Sequence, residues 1–264
     1  NLDADTLVSP NYLSSITKKF KSDTSLEAAS IHYEHPIDSE AILNYELHLR
    51  YFINMQRWAG FPFAIHTVGS SMAVLSSSYS AKGGMNKRKA GEDFYFLHKF
   101  IRDGVCGEIN NTSVFPSGRV SDRVPFGTGR AIGKYDTIDY RLKTYNYKSF
   151  VYLRIFNKKL KENKDQINLD EINRHLSEFL NQINFQEKLK EIKNNTSSDS
   201  MFLKRFYQYF DGFQLMKCLH YLRSSYPNID IDEAARYYTK EHLNRDFASV
   251  KDTLFRTRLI DTDD

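Results

Sequence analysis

The sequence predicts an α/β domain followed by an α-helical subdomain. In the first half of the chain, short strand-like runs alternate with segments whose apolar residues recur at helical spacing. That alternation is typical of a layered α/β architecture. The second half has few glycines and consists of segments with helical periodicity. We place the boundary within residues 133–136, so the predicted parts are residues 1–135 and 136–264.

The first elements follow from local signals. Residues 1–3 are predicted to end a buried strand. After a turn, Ser9 and Pro10 are predicted to begin a helix as its N-cap and first helical residue. The apolar residues of this helix have helical spacing: Tyr12, Leu13, Ile16 and Phe20.

The remaining elements of the first half are less regular in length. They are a strand over residues 27–33, a long helix over 41–58, extended segments over 64–75, and a helix over 92–102 that Gly104 ends.

Four helices are predicted in the second half. One begins with the capping-box pattern of Asn168 and Glu171. The others begin near Ser200, at Asp230 and at Phe247. The aromatic and basic run over 202–221 indicates core packing, with contact to a membrane surface as the alternative.

Composition limits the function classes. A chain of 264 residues that is 41% hydrophobic can bury a sizeable core. The 37 basic and 33 acidic residues give a net charge of +4, which is too even to indicate a nucleic-acid partner. Cys106 and Cys218 lie far apart and are expected to be reduced thiols. We find no membrane span and no signal peptide, and expect a cytoplasmic protein.

Asp3 and Asp5 form the first candidate site. They flank Ala4 where the predicted strand ends. If the strand ends there, the second carboxylate, that of Asp5, can reach an ion, and oxygen ligands suit Mg²⁺ or Mn²⁺ bridged to phosphate. The alternative is a pair of solvated loop carboxylates.

Glu92 and Asp93 form the second candidate site, in the first turn of a predicted helix after the Gly83-Gly84 turn. Acidic residues at a helix start interact favourably with the helix dipole, which alone would explain them. The same position holds a carboxylate rigidly, as a general base requires. The basic residues at 87–89 help to keep it ionised.

The order and spacing of these two motifs resemble the family 2 glycosyltransferases of the GT-A fold. The resemblance implies the acceptor-side half of a GT-A domain, from the DxD motif to a basic loop beyond the ED motif. It implies an inverting transfer from a nucleotide-diphosphate sugar to a saccharide or lipid-linked acceptor. Asp5 would hold Mg²⁺ or Mn²⁺, and Asp3 would contact the same ion or the ribose of the nucleotide. Asp93 would be the base, and Glu92 would bond the acceptor or orient the loop.

The resemblance also implies binding residues. Gly83, Gly84, Ser70 and Ser71 match the segments that contact sugars. Three arginines in a glycine-rich stretch match a loop that closes over the diphosphate: Arg119, Arg123 and Arg130. The alternative for that stretch is a solvated surface loop.

Further expectations remain open. Because the chain begins at the DxD motif, we expect the second half of an enzyme, with the base-binding strands upstream. It would act in the cytoplasm or at the inner face of a membrane. Two alternatives are a non-catalytic binding fragment and a metal-dependent phosphoester hydrolase. His66 and His98 are expected at packing or surface positions rather than in a metal shell.

Overall fold

The computed structural model describes residues 1–87, 90–119, 129, 133, 141–163 and 167–262. It is a mixed α/β protein, as the sequence predicts. Within the described residues, the larger sheet has four strands: β1 (Leu7–Val8), β2 (Ala28–Tyr33), β3 (Met72–Val74) and β4 (Cys106–Phe115). A second sheet pairs β5 (Lys143–Thr144) with β6 (Ile229–Asp230).

The larger sheet is centred on β2 and β4. Its order is β1-β4-β2-β3, with β2 and β4 parallel and the outer pairs antiparallel. Every residue of β2 is buried. Ser30 lies opposite Glu108, and the register shifts after Ile31 so that Tyr33 lies opposite Val114.

Four helices precede β4: α1 (Tyr12–Ser22), α2 (Glu40–Trp58), α3 (Ser76–Ala81) and α4 (Glu92–Asp103). The helices predicted over 41–58 and 92–102 are confirmed, and Gly104 ends α4. Apolar residues of α1 and of the two central strands form one core cluster, which contains Tyr12, Ala29, Ile31, Tyr33, Ile109 and Val114.

The prediction for the first ten residues is wrong. Residues 1–3 are exposed and do not form a strand, whereas Leu7 and Val8, predicted as a turn, pair with β4. Asn11 rather than Ser9 occupies the N-cap of α1. The hydroxyl of Ser9 instead accepts a hydrogen bond from the Ser113 N–H of β4. The conformation of residues 7–8 depends on pairing with β4, which lies about 100 positions away in the sequence. Local sequence signals do not show this pairing.

Among the residues described after β4 there are seven helices: α5 (Tyr147–Asn163), α6 (Arg174–Gln182), α7 (Phe185–Asn194), α8 (Asp199–Tyr209), α9 (Gly212–Leu222), α10 (Ile231–Leu243) and α11 (Val250–Thr262). The helix predicted to continue from Asn168 divides into a 3₁₀ turn (Leu169–Glu171) and α6. The helix predicted from Ser200 divides into α8 and α9, because the Asp211 carboxylate caps α9. Within α8, Phe202 and Phe206 are buried, as core packing requires.

The described chain forms two compact units. Their bounds differ from the predicted single boundary at residue 135. Unit 1 contains residues 1–51, 65–142 and 238–264, and unit 2 contains residues 52–64 and 143–237. The last helix, α11, therefore belongs with the sheet. Its Arg258 and Asp261 pair with buried charges of unit 1, and helical periodicity gives no sign of such pairing. Within the described residues, no helix is long and apolar enough to cross a membrane.

Candidate active site

Asp93 is held at the start of α4. Its Oδ1 accepts a hydrogen bond of 2.7 Å from the Phe94 N–H. Burial raises the pKa of the Asp93 carboxyl, and the negative charge of Glu92 raises it further. Hydrogen bonds from backbone N–H groups, including that of Gly69, act in the opposite direction. The carboxylate is therefore fixed in position and more basic than an ordinary aspartate.

Gly69 allows the backbone to approach this carboxylate closely. A Cβ at residue 69 would lie 3.2 Å from Asp93 Oδ2 and 3.4 Å from Asp93 Cβ. A side chain at this position would therefore crowd the carboxylate. The segment with Gly69, Ser70 and Ser71 thus forms one wall of the Asp93 site.

Ser70 and Ser71 are buried at this wall, with 4% and 0% exposure. The carbonyl of Ser71 accepts a hydrogen bond of 2.8 Å from the Ile31 N–H of β2. Its own N–H donates to the Val68 carbonyl at 2.9 Å. Within the described residues, the buried Ser71 hydroxyl has no hydrogen-bond partner. The expectation that Ser70 and Ser71 lie in a sugar-contacting segment stays a prediction, and both residues are buried in this structure.

The Gly83-Gly84 turn is tied to the same helix as Asp93. Lys99 of α4 donates hydrogen bonds to the carbonyls of Lys82 and Gly84, at 2.9 and 3.0 Å. Gly84 has a φ of +66°, and a Cβ there would lie 3.0 Å from the Tyr79 ring. Both the backbone conformation and the space favour glycine at this position.

The DxD segment lies beside the same wall. The side-chain amide of Asn1 donates a hydrogen bond of 2.8 Å to the Gly69 carbonyl. Asp3 and Asp5 are exposed. Asp5 Oδ2 lies 2.8 Å from Arg119 Nε in a partly exposed ion pair. Gly69 therefore contacts Asp93 on α4 and Asn1 two positions before Asp3.

The donor atoms of the DxD pair fit a hard cation. Both residues offer carboxylate oxygens, which Mg²⁺ and Mn²⁺ prefer, and both are open to solvent. Within the described residues, no group of three or more His, Cys, Asp or Glu side chains is placed to hold a metal ion. An ion on Asp3 and Asp5 would therefore need further ligands from a diphosphate and water. Of the three candidate diphosphate-binding arginines, Arg123 and Arg130 lie outside the described residues.

A cluster of buried charges lies in unit 1, and sequence reasoning missed it. We call Glu46, Arg50, Arg258 and Asp261 the buried ion cluster. Arg50 Nε and Arg258 Nε each lie 2.8 Å from Glu46 Oε1, and Arg50 Nη1 lies 2.5 Å from Asp261 Oδ2. Burial opposes ionisation of Glu46, but hydrogen bonds from His35 and Arg258 and the charges of both arginines hold its pKa well below the usual range.

The only sign of this cluster in the sequence is the spacing of its charged residues along two helices. Glu46 and Arg50 are four positions apart on α2, and Arg258 and Asp261 are three apart on α11. Such pairs usually lie on an exposed helix face. A small polar cleft beside the cluster has a volume of about 10 Å³, which is about the space that one water molecule needs. Its lining includes Ser30, His32, Tyr33, His66, Glu108 and Asn110.

His66, His98 and Cys218 are buried, and Cys106 is partly buried. His66 is buried and its Nε2 lies 3.3 Å from Asp261 Oδ2. His98 is buried against the Phe94 ring, and burial lowers the pKa of His98 to about 4. Cys106 and Cys218 are free thiols, and burial raises the pKa of Cys106 to about 12.

Comparison of the chain with protein-family models, with curated proteins and with solved structures gave no match.

Proposed function

We propose that this chain carries the acceptor side of an inverting, metal-dependent glycosyltransferase of the GT-A type. One observation carries the proposal. The segments of the two acidic motifs, about 90 positions apart in sequence, both contact Gly69: Asn1 through its amide and Asp93 through its carboxylate. The donor would be a nucleotide-diphosphate sugar and the acceptor a saccharide or lipid-linked hydroxyl, as the sequence resemblance implies.

The environment of Asp93 supports the role of base. Asp93 would take the proton from the acceptor hydroxyl as that oxygen bonds to the anomeric carbon. The bond from the anomeric carbon to the diphosphate would break on the opposite face, and the diphosphate would leave with the electron pair. Attack from the opposite face inverts the anomeric configuration. Burial raises the pKa of the Asp93 carboxyl, which makes its ionised form a better proton acceptor for this transfer.

The DxD pair supports the role of metal site. Asp5 and Asp3 would hold Mg²⁺ or Mn²⁺, which neutralises charge on the departing diphosphate when bound. Arg119 pairs with Asp5, so it lies beside the carboxylate where the diphosphate is expected. Guanidinium groups bind phosphate oxygens well, which fits a donor-binding role for Arg119.

The Asp93→Asn variant tests the proposal. The amide keeps the shape of the side chain but cannot act as the base, so we expect kcat to fall by about two orders of magnitude or more. Donor affinity should stay close to wild type. The measurement is release of nucleoside diphosphate by the intact protein from a panel of nucleotide sugars, with and without a mixture of saccharide acceptors.

Asp103→Asn is the matched control. Asp103 is at the other end of α4 and forms a surface ion pair with Lys82, so this variant should retain full turnover. Near-wild-type turnover in Asp93→Asn would contradict the assignment of the base. Acceptor-independent cleavage of simple phosphodiesters would instead favour the hydrolase alternative.

A further inference from the structure

Asp261 connects the last helix to the segment that forms the wall of the Asp93 site. It lies in the final turn of α11 and is 6% exposed. Its Oδ2 accepts a hydrogen bond of 2.5 Å from Arg50 and lies 3.3 Å from His66 Nε2. An ionised carboxylate only accepts hydrogen bonds, so His66 Nε2 is the donor. Asp261 thereby joins α2 and α11 to His66.

His66 lies three positions before Gly69. Its ring packs edge-on against Tyr33 of β2, with ring centroids 5.3 Å apart. The segment from His66 to Ser71 is therefore held at its start by Asp261 and Tyr33. At its end it is held by the hydrogen bond from the Ile31 N–H to the Ser71 carbonyl. Gly69, which contacts the Asp93 carboxylate, lies between these two attachments.

We propose that Asp261 is a positioning residue for the transfer reaction. Through His66, it fixes the segment over residues 66–71 and so sets the position of Gly69 against Asp93. The catalytic consequence rests on the proposed function, whereas the structural link does not. Displacement of a reacting group by about 1 Å can cost about 100-fold in rate, so a contact remote from the reacting atoms can control kcat.

Because Arg50 has other partners, the positioning role of Asp261 can be tested separately from a role in folding. Arg50 also donates to Glu46 Oε1 at 2.8 Å and to the Tyr33 carbonyl. In an Asp261→Asn variant, the buried guanidinium keeps these two partners. The contact with His66 loses its charge assistance and weakens. The expected consequence is local loosening of residues 66–71 in a protein that remains folded.

Hydrogen exchange tests the structural link without any assay of activity. In the intact protein, backbone amides in a peptide covering residues 66–72 should exchange at least several-fold faster in Asp261→Asn than in wild type. Asp252→Asn is the matched control, because Asp252 lies on the same helix and pairs with Arg256 at the surface. Equal exchange in the two variants would overturn the link.

Variants of His66 test the same contact from its other side. His66→Phe keeps a ring against Tyr33 but removes the N–H donor, whereas His66→Gln keeps an N–H donor. Faster exchange over residues 66–72 in His66→Phe, with partial restoration in His66→Gln, supports the proposal. Equal exchange in both variants contradicts it, even if Asp261→Asn does not fold.

Kinetics of the intact protein then test the catalytic consequence. We expect Asp261→Asn to lower kcat about 10-fold or more while the KM for the donor changes little, since only the position of the base is disturbed. His66→Gln should retain more of kcat than His66→Phe. If Asp93→Asn abolishes turnover but Asp261→Asn retains it, the positioning role is wrong and the proposed function stands. If Asp93→Asn has no effect, the proposed function itself fails.

Discussion

At the scale of single residues, the two acidic motifs have contrasting environments. Asp93 is partly buried, lies against a backbone segment and has a raised pKa. Asp3 and Asp5 are exposed, and Asp5 pairs with the exposed Arg119. A base must be aimed at one proton, whereas a metal site must admit an ion and a diphosphate. Each environment therefore suits the role that the resemblance assigns to it.

Asp5→Asn tests the metal site. In the intact wild-type protein, binding of a nucleoside diphosphate should require Mg²⁺ or Mn²⁺, because the ion screens the phosphates from the DxD carboxylates. Asp5→Asn should remove most of this metal dependence, as measured by isothermal titration calorimetry with metal and with a chelator. Asp23→Asn is the control, since Asp23 is an exposed carboxylate that accepts hydrogen bonds from Ser25. Tight, metal-independent binding by wild type would exclude Asp5 as a ligand.

At the scale of elements, α4 connects the parts of the candidate site. It places Asp93 in its first turn, packs His98 on its buried face and bonds the Gly83-Gly84 turn through Lys99. Its inner face is apolar, with Phe96, Leu97 and Phe100 fully or almost fully buried. The hydrophobic face therefore fixes the direction of the helix start, and with it the position of the Asp93 carboxylate.

His98 should make the stability of the protein depend on pH. Burial lowers its pKa from 6.5 to about 4 in the folded state. Between pH 6.5 and 4, the unfolded chain binds a proton that the folded protein does not, so the free energy of unfolding falls as the pH falls. One pKa unit corresponds to about 1.4 kcal/mol, so the loss from this residue approaches about 3 kcal/mol near pH 4.

The His98→Leu variant measures this contribution. Its free energy of unfolding, from urea denaturation, should fall less than that of wild type between pH 7 and pH 4.5. The comparison at pH 8 is the control, since His98 is neutral there in both states and only packing differs. Parallel pH profiles for wild type and variant would show that His98 titrates normally in the folded protein.

Helices with local signals could be predicted from the sequence, and elements decided by distant partners could not. The bounds of α4 follow from an acidic first turn and Gly104. In contrast, β4 contains several polar residues, among them Glu108 and Asn110, and these two line the polar cleft. It therefore lacks the apolar alternation expected of a strand. The helix breaks at Asn173 and Asp211 are marked by capping side chains, a local signal that the prediction did not use.

The charged residues in and near the candidate site also divide into those that a local motif predicts and those that it does not. Asp93 and the DxD pair are predicted from short motifs, because the roles proposed for them depend on residue type and local position. The buried ion cluster joins Glu46 to Arg258, which are 212 positions apart. Sequence periodicity describes one element at a time, so it cannot show that charges from two distant helices neutralise one another in a core.

At the scale of the whole molecule, α11 completes unit 1 with an unusual distribution of side chains. It buries polar and charged residues: Thr253, Thr257, Arg258 and Asp261. It exposes three apolar ones: Phe255, Leu259 and Ile260. The hydrophobic effect alone would orient this helix the other way. Leu254 is also buried, but the buried charges pair with Glu46 and Arg50 of α2, and these ion pairs favour the observed orientation.

Arg258→Met should therefore destabilise the whole unit. Arg258 donates to both oxygens of Glu46 at 2.8 Å and to the His35 carbonyl at 2.8 Å. Its loss leaves the buried Glu46 with less positive charge around it, and breaking such a buried pair costs about 3–5 kcal/mol. Urea denaturation of the protein measures the change. Arg256→Met is the matched control, because Arg256 lies on the same helix and pairs with Asp252 near the surface. We expect that control to leave stability nearly unchanged, since exposed pairs contribute little. Similar losses in the two variants would mean that the ion cluster does not hold α11 in place.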